Sequence, residues 1–318
     1  MRLLTVGGNV VSVGGKAIEI PDSSGGVYQI AVKTSAGASV SASKGTTTVS
    51  GTADTSGSCT LTLYEPGEWS VTATKDGLSE TNSIIIGTQS MTLTIGYDPV
   101  FANSTWEKII EACQSNAVPD TWAVGDSKTM TIGDNDYQID IIGKSHDNYA
   151  DGSGKAPLTF QLHDCIYRHD IANFNMAQIS NAQNTSLTYW GETNMRCEAL
   201  PALLNLMPTE VQNGVKEVTK TGYDQLGNKH TTNDKLFILS RSELNGYYTV
   251  FEEGPYAYYD TVQKAYDKVA YGGTTKANWW TRTVANTNNY YLVDGPNESI
   301  TNSATAIAGW DISFAFCF

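Results

Sequence analysis

Positive charge is scarce in this chain: 318 residues carry 20 Lys and Arg against 33 Asp and Glu, a formal net charge of -13. A nucleic-acid binder needs a basic face to displace counterions, so no nucleic-acid partner is expected. The same deficit argues against docking on anionic lipid. Long apolar runs are missing too. None approaches the ~20 residues that span a bilayer, so no membrane insertion is expected. Met1-Arg2-Leu3-Leu4-Thr5-Val6-Gly7-Gly8 has neither the apolar core nor the small-residue cleavage site of a signal peptide. The length is too great for one ordinary domain and suits two.

Chemical motifs are equally thin. Cys59, Cys113, Cys165, Cys197 and Cys317 are odd in number and scattered, without a Cys-x-x-Cys pair, so neither a zinc ribbon nor a disulfide framework is indicated. They read as small buried hydrophobes. His146, His163, His169 and His230 show no zinc spacing. Gly152-Ser153-Gly154-Lys155 fails as a phosphate loop, because Tyr149 and Ala156 stand where Gly and Ser or Thr are needed. Asp147, Asn148 and Asp151 lack the alternating spacing and the bidentate Glu of a calcium loop. Tyr223-Asp224-Gln225-Leu226-Gly227-Asn228 is a single tyrosine–aspartate repeat, too little for a repeat shell, and reads as a hairpin tip. No nucleophile elbow or other nucleophile–base grouping stands out. No catalytic residue, metal or cofactor is therefore expected, and the chain reads as a non-enzyme.

What is present is β-pattern and turn chemistry. Thr5-Val6-Gly7-Gly8-Asn9 recurs seven residues later as Ser12-Val13-Gly14-Gly15-Lys16, each a β-branched run ended by a turn signal. Residues 1–22 are read as a docking segment, since strands this short cannot stand alone. From 23 to 90 Thr, Ser, Gly and Val dominate. Strands are expected at Val27–Lys33, Thr46–Ser50, Cys59–Tyr64, Glu68–Thr74 and Ser83–Ile86, an antiparallel sandwich. Residues 91–103 read as a linker. Ser104 caps a helix with Glu107 reaching back, and Trp106, Ile109, Ile110 and Cys113 share one face. A second helical region is expected from Thr193 to Val218, restarting at Pro208, with strands at Tyr137–Ile142, Leu158–Leu162 and Leu236–Leu239. The larger domain, 104–318, is thus mixed α+β.

The last forty residues carry the strongest pattern. Ile312, Phe314, Phe316 and Phe318 alternate with Asp311, Ser313, Ala315 and Cys317, a half-buried strand tied into a sheet. Before it, a polar tract rich in asparagine lies between Trp279-Trp280 and Trp310. The tract Tyr247–Tyr259 holds six aromatics, some of them core and some available for contact.

Pro66-Gly67-Glu68-Trp69-Ser70-Val71-Thr72-Ala73 resembles the hairpin of bacterial and phage immunoglobulin-like or carboxypeptidase-regulatory-like modules, which are usually spacers. Further on, four stretches together resemble an uncharacterised C-terminal domain of gut Firmicutes and their phages. They are Trp106–Cys113, Ile141–Asp147 with Ala150–Ala156, Asp234–Ser240, and Trp279-Trp280-Thr281-Arg282 with the closing Phe316-Cys317-Phe318. Thr281 and Thr283 depart from that family's usual Leu and Ser. The resemblance implies a C-type-lectin-like, formylglycine-generating-enzyme-like fold, which elsewhere displays variable, asparagine-rich ligand faces. The cysteine chemistry of that fold's sulfatase-activating enzymes is not carried over, because Cys197 and Cys317 read as lying on structural elements.

The sequence-level expectation is a virion protein of a phage: a multidomain chain, an all-β immunoglobulin-like sandwich followed by an α+β lectin-like domain. It would assemble with other virion proteins through residues 1–90, as a homo-oligomer, and bind a host cell-surface glycan or protein. Asn286, Asn288, Asn289, Tyr291, Asp294, Asn297, Asn302, Trp310 and Asp311 would form the ligand face, aromatic anchors flanked by amides. A purely architectural decoration protein and a polysaccharide-degrading enzyme are the alternatives.

Overall fold

The computed structural model describes the chain except residues 1, 4, 7–8, 11, 14–15, 18, 21–26, 76–77, 87–89, 93–96, 167–174, 178–187 and 246–252. Strand predominates, in several sheets, and the chain divides into two compact units, Met1–Asp98 and Pro99–Phe318.

The first unit opens with six two-residue strands. Thr5–Val6 (β2) pairs with Asn9–Val10 (β3), Ser12–Val13 (β4) with Lys16–Ala17 (β5), and Arg2–Leu3 (β1) with Glu19–Ile20 (β6). Each Val-Gly-Gly run thus pairs with the strand following its own glycines. The repeat forms two separate two-stranded pairs.

Next come Tyr28–Lys33 (β7), Ser39–Lys44 (β8), Thr47–Thr52 (β9), Ser58–Leu63 (β10), Glu68–Lys75 (β11), Leu78–Ile85 (β12) and Ser90–Thr92 (β13). They form two sheets, β10-β7-β13 and β12-β11-β8-β9. Ile30, Val32, Leu61 and Leu63 from one sheet meet Val40, Ala42, Trp69, Val71 and Ile84 from the other in a single core. Period-two alternation produces this: in β7, Ile30 and Val32 are buried while Gln29, Ala31 and Lys33 are exposed. Two expectations need correction. β8 was missed because Ser-Val-Ser-Ala-Ser-Lys offers only small inward residues. β13 straddles the expected boundary between sandwich and linker, and it pairs in parallel with β7.

In the second unit Phe101–Asn103 makes a 3-10 turn, also within the expected linker, and Phe101 is buried against Trp122 and Phe160. Trp106–Gln114 (α1) buries Trp106, Ile109, Ile110 and Cys113 as its spacing predicts. Its cap is Thr105, whose hydroxyl accepts the Lys108 N–H, one residue later than Ser104. The second helical region breaks up: a π-turn at Met195–Ala199, then Leu200–Leu204 (α2) and Thr209–Gly214 (α3). Val218 begins a strand, not a helical turn. With Gln263–Tyr266 (α4) these helices are short, so the unit is more strand-dominated than an even α+β mixture.

The main sheet runs β14-β15-β16-β23-β19, from Ser127–Ile132 (β14), Asn135–Lys144 (β15), Leu158–Leu162 (β16), Leu236–Ile238 (β19) and Phe314–Cys317 (β23). All neighbours are antiparallel. β23 is paired on both sides, to β16 and β19, as its pattern suggested. It is not half-buried, however, since every residue from Asp311 to Phe318 is buried. One face carries Phe314, Phe316 and Phe318, with Phe316 and Phe318 packed on Phe160 at 5.4 and 5.3 Å. The other, with Ser313 and Cys317, meets polar groups.

Val218–Tyr223 (β17) and Lys229–Asp234 (β18) form the hairpin read from the tyrosine–aspartate repeat, its tip tied by Asp224 accepting the N–H groups of Leu226 and Asn228. Asn278–Asn286 (β20), Asn289–Asp294 (β21) and Ser303–Thr305 (β22) make a second antiparallel sheet. The polar tract is therefore largely strand, with Tyr290, Leu292 and Val293 buried.

Candidate functional site

Five ionisable side chains from distant parts of the second unit converge in its interior. Lys220 of β17 donates to Asp147 Oδ1 and Glu243 Oε1, both at 2.6 Å, lies 3.1 Å from Glu253 Oε2, and sits over the Phe237 ring. Arg282 of β20 pairs with Glu243 and Glu253 and donates to the carbonyls of Ile238 and Thr221. Tyr256 donates its hydroxyl to Asp147 at 2.9 Å, and Thr159 donates to the same carboxylate. The Ser240 N–H reaches Glu243 and the Thr221 N–H reaches Glu253, each at 2.7 Å. Gly143 lets Tyr256 in: a Cβ there would lie 2.8 Å from its Cδ1.

Burial alone would raise the Asp147 carboxyl, but the Lys220 charge and the His146 contact hold it far below the usual carboxylate range. Lys220 is disfavoured as a cation by burial, yet Asp147, Glu243 and Glu253 outweigh this and raise it. Glu243 is lowered against its desolvation by Arg282 and Lys220, whereas desolvation wins at the neighbouring Glu253, which is raised. For His146, desolvation is outweighed by Asp147, and its pKa rises. Every carboxylate oxygen in the cluster already accepts a hydrogen bond or ion pair. The arrangement is a lock joining five chain segments.

The nine residues expected to form a ligand face are not brought together. Asn286 and Asn288 are exposed at the β20–β21 turn, with Asn289 beside them and Asn288 at φ 126°. Ile307 is 81% exposed, and the neighbouring Ala306 N–H binds the Asn288 carbonyl at 2.7 Å, so Ile307 joins this tip. Asp311 N–H bonds to Asn278 O at the opposite end of β20. That places half-buried Trp310 and buried Asp311 on the order of 20 Å from the tip along the strand. Asp294 is buried and accepts from Asn297 Nδ2 at 2.9 Å and Asn302 Nδ2 at 2.6 Å, so those amides fasten a turn. Tyr291 lies under Arg241, whose guanidinium is 3.8 Å from the ring centroid.

Other residues singled out from sequence also have places. His163, its side chain 49% exposed, contacts buried Asp140 through Nδ1 at 2.8 Å, and His230 contacts Asp224 at 2.9 Å. His169, Tyr247, Tyr248 and Phe251 lie outside the described residues. Tyr256 and Tyr259 are core. Four cysteines are buried as expected, but Cys197 is exposed. Among the described residues no His, Cys, Asp and Glu group is arranged to hold a metal ion, and no helix is long and apolar enough to cross a membrane.

The ion cluster also fixes a surface loop. Residues 147–156 are stitched to the start of β17, Ala150 N–H to Glu217 O and Thr219 N–H to Asn148 O, both at 2.9 Å. Outside this seam lies a cleft of about 550 Å³ that includes Tyr149, Asp151 and Lys216. Clefts of about 410 and 540 Å³ adjoin it. Spacing rules missed both cluster and clefts, because they are assembled from single residues far apart in sequence. The usable signal was a charge flanked by inward-facing apolar residues, as in Trp279-Trp280-Thr281-Arg282.

Residues 165–309, just under half of the chain, match DUF6273, a domain of unknown function. The match takes in β17 to β22 and leaves β14, β15, β16 and β23 of the main sheet outside. No curated protein matches the chain.

Proposed function

We propose that this protein is a non-enzymatic surface-binding component of a phage particle, a spacer followed by a lectin-like display domain. The first unit supports an immunoglobulin-like reading through its two-sheet topology and its Pro66–Ala73 hairpin. The second supports a lectin-like reading through a closing strand at the heart of a sheet and a smaller sheet carried beside it. Virion placement follows from the phage resemblance of both modules. The carrying observation is the β20–β21 tip, where Asn286, Asn288 and Ile307 stand exposed on a sheet pinned by the Arg282 ion pairs. Amides select among hydroxyls and amides of a host glycan or protein, while Ile307 adds apolar contact.

The test uses Asn286→Ala, Asn288→Gly and Asn289→Ala together with Ile307→Ser. Glycine is chosen at 288 because alanine would be strained at φ 126°. The variant should keep its thermal midpoint and lose adsorption to host cells. Normal adsorption would move the protein to the architectural reading, which the Asp294–Asn297–Asn302 ties favour because they engage part of the expected face in holding a turn. Immunogold labelling of purified particles tests the virion placement independently.

A further inference from the structure

Three clefts of the second unit run into one another. Glu217 and Lys235 line both the first and the second, and Gln114 and Asn213 line both the second and the third. We propose that this continuous trough is a second binding site, which takes a linear, uncharged polysaccharide chain. It rests on the surface-binding reading only for where the polymer comes from.

Each cleft, at about 410, 550 and 540 Å³, has the size of a small-molecule site, so the row has room for several sugar units in series. Gln114, Asn213, Glu217 and Lys235 are exposed, and their side chains have no hydrogen-bond partner among the described residues. The Asp294–Asn297–Asn302 amides, by contrast, are engaged internally. Hydroxyl-rich ligands are read by such planar amide and carboxylate groups. Tyr149 supplies a ring at the trough wall, fixed by its hydroxyl donating to Phe318 O at 2.6 Å, so contact there costs little ordering.

Two competing ligand classes fit less well. A peptide adding as a strand needs open backbone, but the Lys216 N–H is bound to Cys317 O and the Glu217 carbonyl to the Ala150 N–H. A polyanion meets the wrong sign: Glu107, Glu111 and Glu210 line one end, and the chain carries a net charge of -13.

The experiment titrates the full chain with chitohexaose, cellohexaose, maltohexaose and mannohexaose, their disaccharides, and heparin. At least one neutral hexasaccharide should bind about tenfold tighter than its disaccharide, because only the longer chain spans adjoining clefts. The pairs Gln114→Ala with Asn213→Ala, and Glu217→Ala with Lys235→Ala, should each weaken it about tenfold at an unchanged thermal midpoint. The tip variant described above should titrate like the unmodified protein, so the titration reads the trough and cell adsorption reads the tip. No hexasaccharide binding tighter than about 1 mM, preference for heparin, or binding that survives both pairs would overturn the proposal.

Discussion

The two units hold their interiors together by different physics. The sandwich is filled by Ile30, Val32, Val40, Leu61, Leu63, Trp69 and Val71, and among its described residues no charged side chain is buried. The second unit buries Asp147, Lys220, Glu243 and Arg282 among its aromatic residues. An apolar core loses stability in proportion to the atoms removed, and its neighbours can partly relax. A buried ion cluster behaves otherwise. Desolvation offsets much of its attraction, so it adds little stability compared with apolar residues, yet removing one member strands the rest. The sandwich should therefore degrade gradually under substitution and the second unit abruptly.

Lys220→Met breaks that comparison hardest. It leaves Glu243 and Glu253 with Arg282 as their one cation and Asp147 with His146 and its hydroxyl donors, and should cost the second unit about 3–5 kcal/mol. Trp69→Ala should remove a similar amount, about 3–4 kcal/mol, from the sandwich by opening a cavity and losing the bond to Glu65 O. The discriminating partners are milder. Ile30→Val should cost about 1 kcal/mol. Arg282→Lys, nominally conservative, should cost several times that, because an ammonium cannot hold two carboxylates and two carbonyls in one plane. Urea unfolding reads both, with Trp69 the one tryptophan of the sandwich.

Acid sharpens the comparison next. Asp147 and Glu243 are held below ordinary carboxylates, so their contribution is complete above the unfolded values of about 4 and is lost as pH falls through the folded ones. Glu253, being raised, runs the other way and softens the slope. His146 is also raised; its contribution is complete below about pH 6.5 and fades as pH rises through the folded value. The second unit should thus melt earlier below pH 4 while the sandwich midpoint barely moves. Coincident acid transitions of the two units would contradict this.

The same contrast explains what the sequence disclosed. Regular period gave the sandwich, the α1 face and the closing strand, because burial repeats every two or 3.6 residues there. β8 was hidden only by small side chains. The cluster was illegible for a different reason: residues 147, 220, 243, 253 and 282 meet once, without any period. His146-Asp147 and Thr281-Arg282 did lie inside the stretches that carried the family resemblance, but nothing local said that they touch. The placement of the asparagines was half legible. Asparagines marked turns correctly, while their split between the β20–β21 tip and the opposite end of β20 depended on register, which a bulge between Trp280 and Val284 alters.

A gentler pair of changes separates asparagines that hold the sheet from those that are displayed. Asn302 donates to Asp294 at 2.6 Å, and Asp294 is buried with its carboxyl lowered because Asn297 and Asn302 outweigh its desolvation. Asn302→Ala leaves that acceptor short of a donor, so it should cost about 1.5 kcal/mol, the low end for a hydrogen bond to a charged group. Asn288 is exposed and sits at φ 126°, where its side chain must tolerate a backbone that glycine adopts freely. Asn288→Gly should therefore change stability by no more than a few tenths of a kcal/mol, relief of strain offsetting the added freedom of the unfolded chain. Chemical denaturation of the two single variants measures the difference. If Asn288→Gly proved the more damaging, its amide would be structural, and the tip would lose its standing as the displayed face.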